Sequence, residues 1–148
     1  MQTLSQRFAP WVLGISCCAL VTSAALAQIA PGDTGAGVQR GLQQMNNSGE
    51  PGTVTLFRRN NGKETLVVIQ VTSEAAGRTR PASIRRGKDC TDVASEPAYP
   101  LAPVVNRTSR TLVQAPEEKL LSGNYVLVVH AADNHLEQFT ACGQLYQS

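Results

Sequence analysis

The segment Gly123–Leu145, GNYVLVVHAADNHLEQFTACGQL, places the strongest constraint on what this chain can fold into. An apolar run, Tyr125–Ala131, leads into a polar stretch, Ala132–Glu137, and then into a second β-rich run, Gln138–Leu145. Two such runs joined by a short polar loop predict a β-hairpin. The apolar side chains of this unit need earlier strands to pack against, and Cys142 in the second run needs a partner cysteine.

The partner cysteine is Cys90, because the chain's other two cysteines lie in its N-terminal apolar segment. Cys90 and Cys142 lack C-x-x-C spacing, which favours a structural disulfide formed in an oxidising compartment. A pair of metal ligands or a redox pair is the alternative. In the chain-entropy model a disulfide that closes a loop of this length stabilises the fold by about 4 kcal/mol.

Residues 1–27 have the pattern of a secretory signal peptide, with one basic residue, Arg7, an uncharged apolar run, Trp11–Ala25, and small residues before Gln28. The run is shorter than the roughly 20 residues that a membrane-spanning helix needs. We therefore expect cleavage before Gln28, export to the periplasm or the extracellular space, and no membrane span afterwards. An uncleaved anchor and a lipid-attached cysteine are the alternatives.

The remaining chain has the size and charge of one ordinary globular domain. Residues 28–36 are rich in Gly, Pro and Ala and predict a flexible lead, and residues 37–148 predict a single β-sandwich domain. Without Arg7, 12 basic residues face 11 acidic ones, a formal charge of +1. This balance gives no bulk electrostatic reason to expect nucleic acid or membrane as a partner.

Alternating apolar residues and turn signals predict an all-β fold. Asn60-Asn61-Gly62 separates the β-rich runs Thr53–Arg59 and Lys63–Thr72, and Asn-Gly between such runs predicts a hairpin. Gly37–Met45 fits a helix by propensity and a strand by context. The other predicted elements are a short strand in Pro81–Arg86, a long loop in Gly87–Pro103 and a helical turn in Pro116–Leu121. Val104–Arg107 and Arg110–Ala115 predict either another strand pair or an extended crossing. Six to eight short strands indicate a sandwich or barrel.

Several segments, taken together, resemble the copper/zinc superoxide dismutases and their secreted relatives, the CHRD-type domains included. They are the strand–turn–strand pattern of Gly37–Thr72, PASIRRGKDC at Pro81–Cys90, AYPLAPVVN at Ala98–Asn106, LLSGNYVLVVH at Leu120–His130, and Ala141-Cys142-Gly143. The resemblance implies an eight-stranded Greek-key sandwich. It also implies a disulfide between Cys142 and the cysteine that follows the family's His-x-His segment, here Cys90.

The family's metal ligands are mostly missing from this chain. Ser83 and Arg85 stand in the His-x-His frame, and His130 alone matches a ligand position. Catalytic copper needs several imidazoles, zinc needs further His and a carboxylate, and a guanidinium repels a metal ion. The resemblance therefore implies the fold without the metal site. Copper or zinc binding through His130, with or without dismutase activity, is the alternative.

A basic cluster is the main candidate for a binding surface. Planar guanidinium groups suit carboxylates and phosphates, so the cluster predicts an anion-binding face for an anionic polymer or an acidic protein. The alternative is a solvated loop face that nearby acidic residues neutralise. The cluster comprises Arg78, Arg80, Arg85, Arg86 and Lys88.

The sequence carries no motif for nucleophilic catalysis, phosphate binding or single-stranded nucleic acid binding. A Ser-His-Asp set assembled in space with His130 or His135 would make the protein a hydrolase, which is the weakest alternative. We therefore expect an exported, non-enzymatic binding or structural module.

Overall fold

The computed structural model describes residues 35–72, 78–132 and 134–146. The expected signal peptide and most of the expected lead lie outside these ranges. The described residues form eight β-strands, a 3-10 turn at Asn60–Gly62 and one short helix, α1 (Glu117–Ser122). The strands are β1 (Val38–Gln44), β2 (Gly52–Arg59), β3 (Glu64–Val71), β4 (Arg80–Asp89), β5 (Asp92–Val104), β6 (Thr108–Val113), β7 (Tyr125–His130) and β8 (Phe139–Gln144).

All eight strands pair antiparallel in one nearly closed sheet with the order β5-β4-β7-β8-β1-β2-β3-β6. The two end strands meet through hydrogen bonds: the Ser109 hydroxyl donates to the Ala102 carbonyl (2.6 Å), and the Ala102 N–H donates to Thr111 Oγ1 (2.8 Å). Strands β4, β5 and β6 follow one another, and β7 returns to lie beside β4, which is a Greek-key arrangement. The predicted all-β class is confirmed.

The hairpins with strong local signals form where the sequence predicts them. Asn60, Asn61 and Gly62 all have positive φ, as the turn between β2 and β3 requires. In the closing unit, β7 pairs with β8, and Val128 lies opposite Cys142. The ambiguous segment Gly37–Met45 contains β1, which joins the two halves of the sheet by pairing first with β2 and then with β8.

The predicted long loop in Gly87–Pro103 is wrong, because most of this segment is strand β5. Prolines cannot donate a ladder hydrogen bond, so they are confined to edge strands and bulges. Strand β5 stands at one end of the hydrogen-bonded order and pairs with β4 through several register shifts. Pro97 lies opposite Arg85 and Pro100 lies opposite Ser83, so the edge position accommodates both prolines.

Strand β7 and residues 82–85 of β4 are buried on both faces. Ile84 and Leu127 belong to the large core inside the sheet, together with Leu56 and Ile69. On the opposite face, Val126 and Val128 pack with Cys142 in a second, smaller cluster. The partly buried side chains that cover this outer cluster are Met45, Cys90, Val93 and Phe139. Two of these covering side chains, Val93 and Phe139, also line a cleft.

The disulfide Cys90–Cys142 holds this outer layer in place. The two Cα atoms lie 5.9 Å apart, and the bond ties the turn after β4 to the middle of β8. The predicted pairing is thus present in the structure. No helix in the described ranges is long and apolar enough to cross a membrane.

Candidate functional site

A cleft of about 550 Å³ lies on the outer face of β4, β7 and β8. Its polar lining comes from Ser83 and Arg85 of β4, Ser95 of β5, His130 of β7, and Glu137, which precedes β8. We call it the Arg85 cleft. Its apolar walls come from Val93, Pro97 and Pro100 of β5 and from Leu136 and Phe139, which lie beyond β7.

Strand periodicity brings the polar residues of the cleft together. Side chains alternate between the faces of a strand, so Ser83 and Arg85 share the outer face of β4 while Ile84 enters the core. Ser83 lies opposite Val128 of β7, and a register shift after Val129 ends the regular pairing just before His130. The three polar side chains therefore converge at one end of the outer face.

Arg85 is buried, with 8% of the residue exposed, and yet it has no ion pair among the residues that the structure describes. Its Nε donates to Ser83 Oγ (3.1 Å), and Nη1 donates to the carbonyls of Ala94 (3.3 Å) and Ser95 (2.7 Å). Burial lowers the pKa of Arg85, but a guanidinium stays protonated in proteins. The cleft thus contains a fixed positive charge without a neighbouring acid bonded to it.

His130 lies next to this charge and is almost completely buried. Its Nε2 is 3.4 Å from Arg85 Nη2 and 3.5 Å from Ser83 Oγ, and its ring meets the Phe139 ring edge-on. Burial lowers the pKa of His130, and the Arg85 charge lowers it further, while the Leu136 backbone and Glu137 act in the opposite direction. The ring is therefore neutral at pH 7.

The contacts of His130 also define its tautomer. An arginine can only donate, so Nε2 accepts and the ring proton belongs on Nδ1. Within the described ranges Nδ1 makes no hydrogen bond of normal geometry. The Leu136 backbone therefore acts on the ring without closing a regular hydrogen bond.

The donor set at this cleft does not fit copper or zinc. The guanidinium of Arg85 lies on the Nε2 side of the imidazole, where it repels a cation. No group of three or more His, Cys, Asp or Glu side chains that could hold a metal occurs in the part of the chain described. His135, the other histidine of the chain, lies apart on the loop and approaches Glu137 at 3.9 Å.

The cleft has to be interpreted from its own geometry and charge. No protein-family model matches the chain, and no match is found among curated proteins or among solved structures. The fold brings the side chains of Ser83, Arg85 and His130 to one point.

The structure distributes the five basic residues of the predicted anion-binding face over several environments. Arg80 forms a buried ion pair with Glu50 and donates to the Ala131 carbonyl (2.8 Å). Arg78 is exposed and lines a smaller cavity of about 250 Å³ next to this pair. Arg86 lies over the Tyr125 ring at 5.4 Å, and Lys88 is exposed. Among the described basic residues, Arg85 alone lines the Arg85 cleft.

Sequence reasoning missed the walls of the cleft. Val93 and Pro97 fell in a segment predicted to be a loop, and Leu136 and Phe139 carried no motif. One signal was available in the sequence: successive side chains of a strand point to opposite faces, which places Arg85 and Arg86 on different faces of β4. The partners of Arg80 and Arg85 depend on contacts across the sheet, which local patterns do not reveal.

Proposed function

We propose that the protein is an exported, non-enzymatic β-sandwich module that binds an anionic group in the Arg85 cleft. The observation that carries this proposal is the burial of the Arg85 guanidinium without a bonded carboxylate in the described structure. Desolvating an unpaired charge costs several kcal/mol, so buried arginines are normally paired. An anion in the cleft would supply the missing counter-charge.

A comparison within the same strand supports the proposal. Arg80 and Arg85 are both buried on β4, and Arg80 has Glu50 as its partner. Arg85 has carbonyl and hydroxyl oxygens and a neutral imidazole as its partners. These groups fix the guanidinium in position, and they leave its charge available to a ligand.

The likeness to copper/zinc superoxide dismutases is part of the proposal. It is supported by the meeting of Ser83, Arg85 and His130 and by the pairing of Cys90 with Cys142. In this proposal the fold has exchanged a metal centre for an anion site. A residual copper or zinc site at His130 has less support, because Arg85 would first have to leave Nε2.

Substitution of Arg85 tests the proposal. We expect acetate, inorganic phosphate or heparin to bind the purified protein, and Arg85→Met to weaken that binding about 10-fold to 100-fold, the loss of one charge-assisted interaction. Arg85→Met removes a buried charge, but it also removes the donor of the hydrogen bonds to Ser83, Ala94 and Ser95, so the free energy of unfolding without ligand should fall by about 1 to 3 kcal/mol. Isothermal titration calorimetry measures the binding, and urea denaturation measures the stability.

Arg86→Met is the matched control, because Arg86 follows Arg85 on the same strand but lies exposed over Tyr125. It should leave anion binding unchanged. Equal loss of binding in both variants, or no binding of any of the three anions to wild type, would contradict the proposal.

A further inference from the structure

We infer that the ligand of the Arg85 cleft is a monocarboxylate with an apolar tail. This inference rests on the proposed function, since it names the chemical class of the anion. Three properties of the cleft lead to it: the charges that line it, its free hydrogen-bond donors and the apolar character of its walls.

The cleft offers one positive charge. His130 is neutral, because burial and the neighbouring guanidinium both disfavour its protonation. Arg80 lies outside the cleft and is neutralised by Glu50. Glu137 also lines the cleft, and its exposed carboxylate repels an anion more strongly the more negative charge the anion carries. Charge complementarity therefore favours a monoanion over phosphate or a polyanion.

The free donors of the cleft match the two oxygens of a carboxylate. Arg85 has five N–H groups, and four of them have acceptors in the described structure: Ser83, Ala94, Ser95 and His130. The remaining N–H belongs to Nη2. The Ser83 hydroxyl accepts from Arg85 Nε, and its own hydrogen has only the long 3.5 Å contact to His130 Nε2. A carboxylate can accept from both groups at once.

The walls of the cleft are apolar. Val93, Pro97, Pro100 and Phe139 face the space above Arg85, and these side chains have no polar atoms to bind a hydroxylated or charged tail. Leu136 lies at the same cleft with 46% of the residue exposed. The volume, about 550 Å³, lies within the range of small-molecule sites. A hydrocarbon tail would cover these side chains.

A series of straight-chain carboxylates from acetate to decanoate, titrated by calorimetry into the purified protein, tests the inference. We expect affinity to rise roughly fourfold with each methylene until the tail fills the cleft. Octanol and octylammonium should bind at least tenfold more weakly than octanoate. Leu136→Ser should weaken octanoate several-fold more than it weakens acetate, whereas Arg85→Met should weaken both to a similar degree.

The outcomes separate this inference from the proposed function. If acetate, phosphate or heparin binds in an Arg85-dependent manner and chain length has no effect, the apolar tail is overturned and the anion site stands. If octanol binds as tightly as octanoate, or no anion binds, both are overturned. A peptide with an apolar C-terminal residue that binds far more tightly than every alkyl carboxylate would overturn the small-molecule ligand.

Discussion

At the level of single residues, Arg85 and His130 form an unusual pair, because two buried basic side chains lie in direct contact. The pair contains no negative charge, and the positive charge of the buried guanidinium lowers the tendency of the buried imidazole to bind a proton. The pair is stable only because the histidine remains neutral and accepts from the arginine. The pKa of His130 therefore responds to the Arg85 charge as well as to burial.

Arg85→Met should raise the pKa of His130 in the folded protein, because it removes the second cause of the lowered value and leaves the first, burial. Proton NMR titration of the His130 ring measures it, and Arg86→Met is the control. An unchanged His130 pKa in Arg85→Met would contradict the contact between the two groups.

The lowered pKa also fixes the sign of a pH effect on stability. At pH values between the pKa of His130 in the folded protein and 6.5, this histidine binds a proton in the unfolded chain but not in the folded protein. The contribution of this group is complete above 6.5 and decreases as pH falls through that window. Acidification thus acts against the folded protein at this residue.

Among the secondary-structure elements, a buried ion pair joins three parts of the chain. Glu50 precedes β2, Arg80 opens β4, and the Ala131 carbonyl that accepts from Arg80 follows β7. Glu50 Oε2 and Arg80 Nε are buried without a hydrogen-bond partner in the described residues. The pair therefore connects these elements, although one polar atom of each side chain is buried without a hydrogen bond in the described residues.

Glu50→Gln should destabilise the protein by about 3 to 5 kcal/mol, because it leaves the Arg80 charge buried and unpaired. The double variant Glu50→Leu with Arg80→Met removes both charges and should recover most of that loss. Urea denaturation of the two variants and of wild type gives the comparison. A double variant as unstable as Glu50→Gln would show that the charges themselves are not responsible.

The elements that the sequence predicted correctly are those with a local cause. The Asn-Gly turn, the continuous apolar run of β7 and the proline-initiated helix α1 depend on residues close together in the chain. Strand β5 depends on a position at the edge of the sheet, which only the complete topology provides. The prolines that argued against a strand are tolerated there, so the prediction failed at this element for a physical reason.

At the scale of the whole molecule, the candidate site depends on side chains that pack on the outer face of the sheet, among them Val93 and Phe139. His130 and Cys142 could be singled out by residue type, and Arg85 by its place in a basic cluster. The contacts around these residues could not be predicted, since Arg80 pairs with Glu50, which is distant in sequence, and Arg86 lies over the Tyr125 ring. The outer layer itself is held by one covalent bond between segments that are 52 residues apart in sequence.

Cys90→Ser should lower the melting temperature by about 10 to 20 °C in the absence of reductant, because opening a loop of 52 residues restores about 4 kcal/mol of chain entropy to the unfolded state. Cys90 is the better residue to change, since it is partly buried whereas Cys142 is completely buried. In reductant, wild type and variant should melt close together. Circular dichroism under both conditions measures the difference, and equal melting without reductant would mean that the bond contributes nothing to the fold.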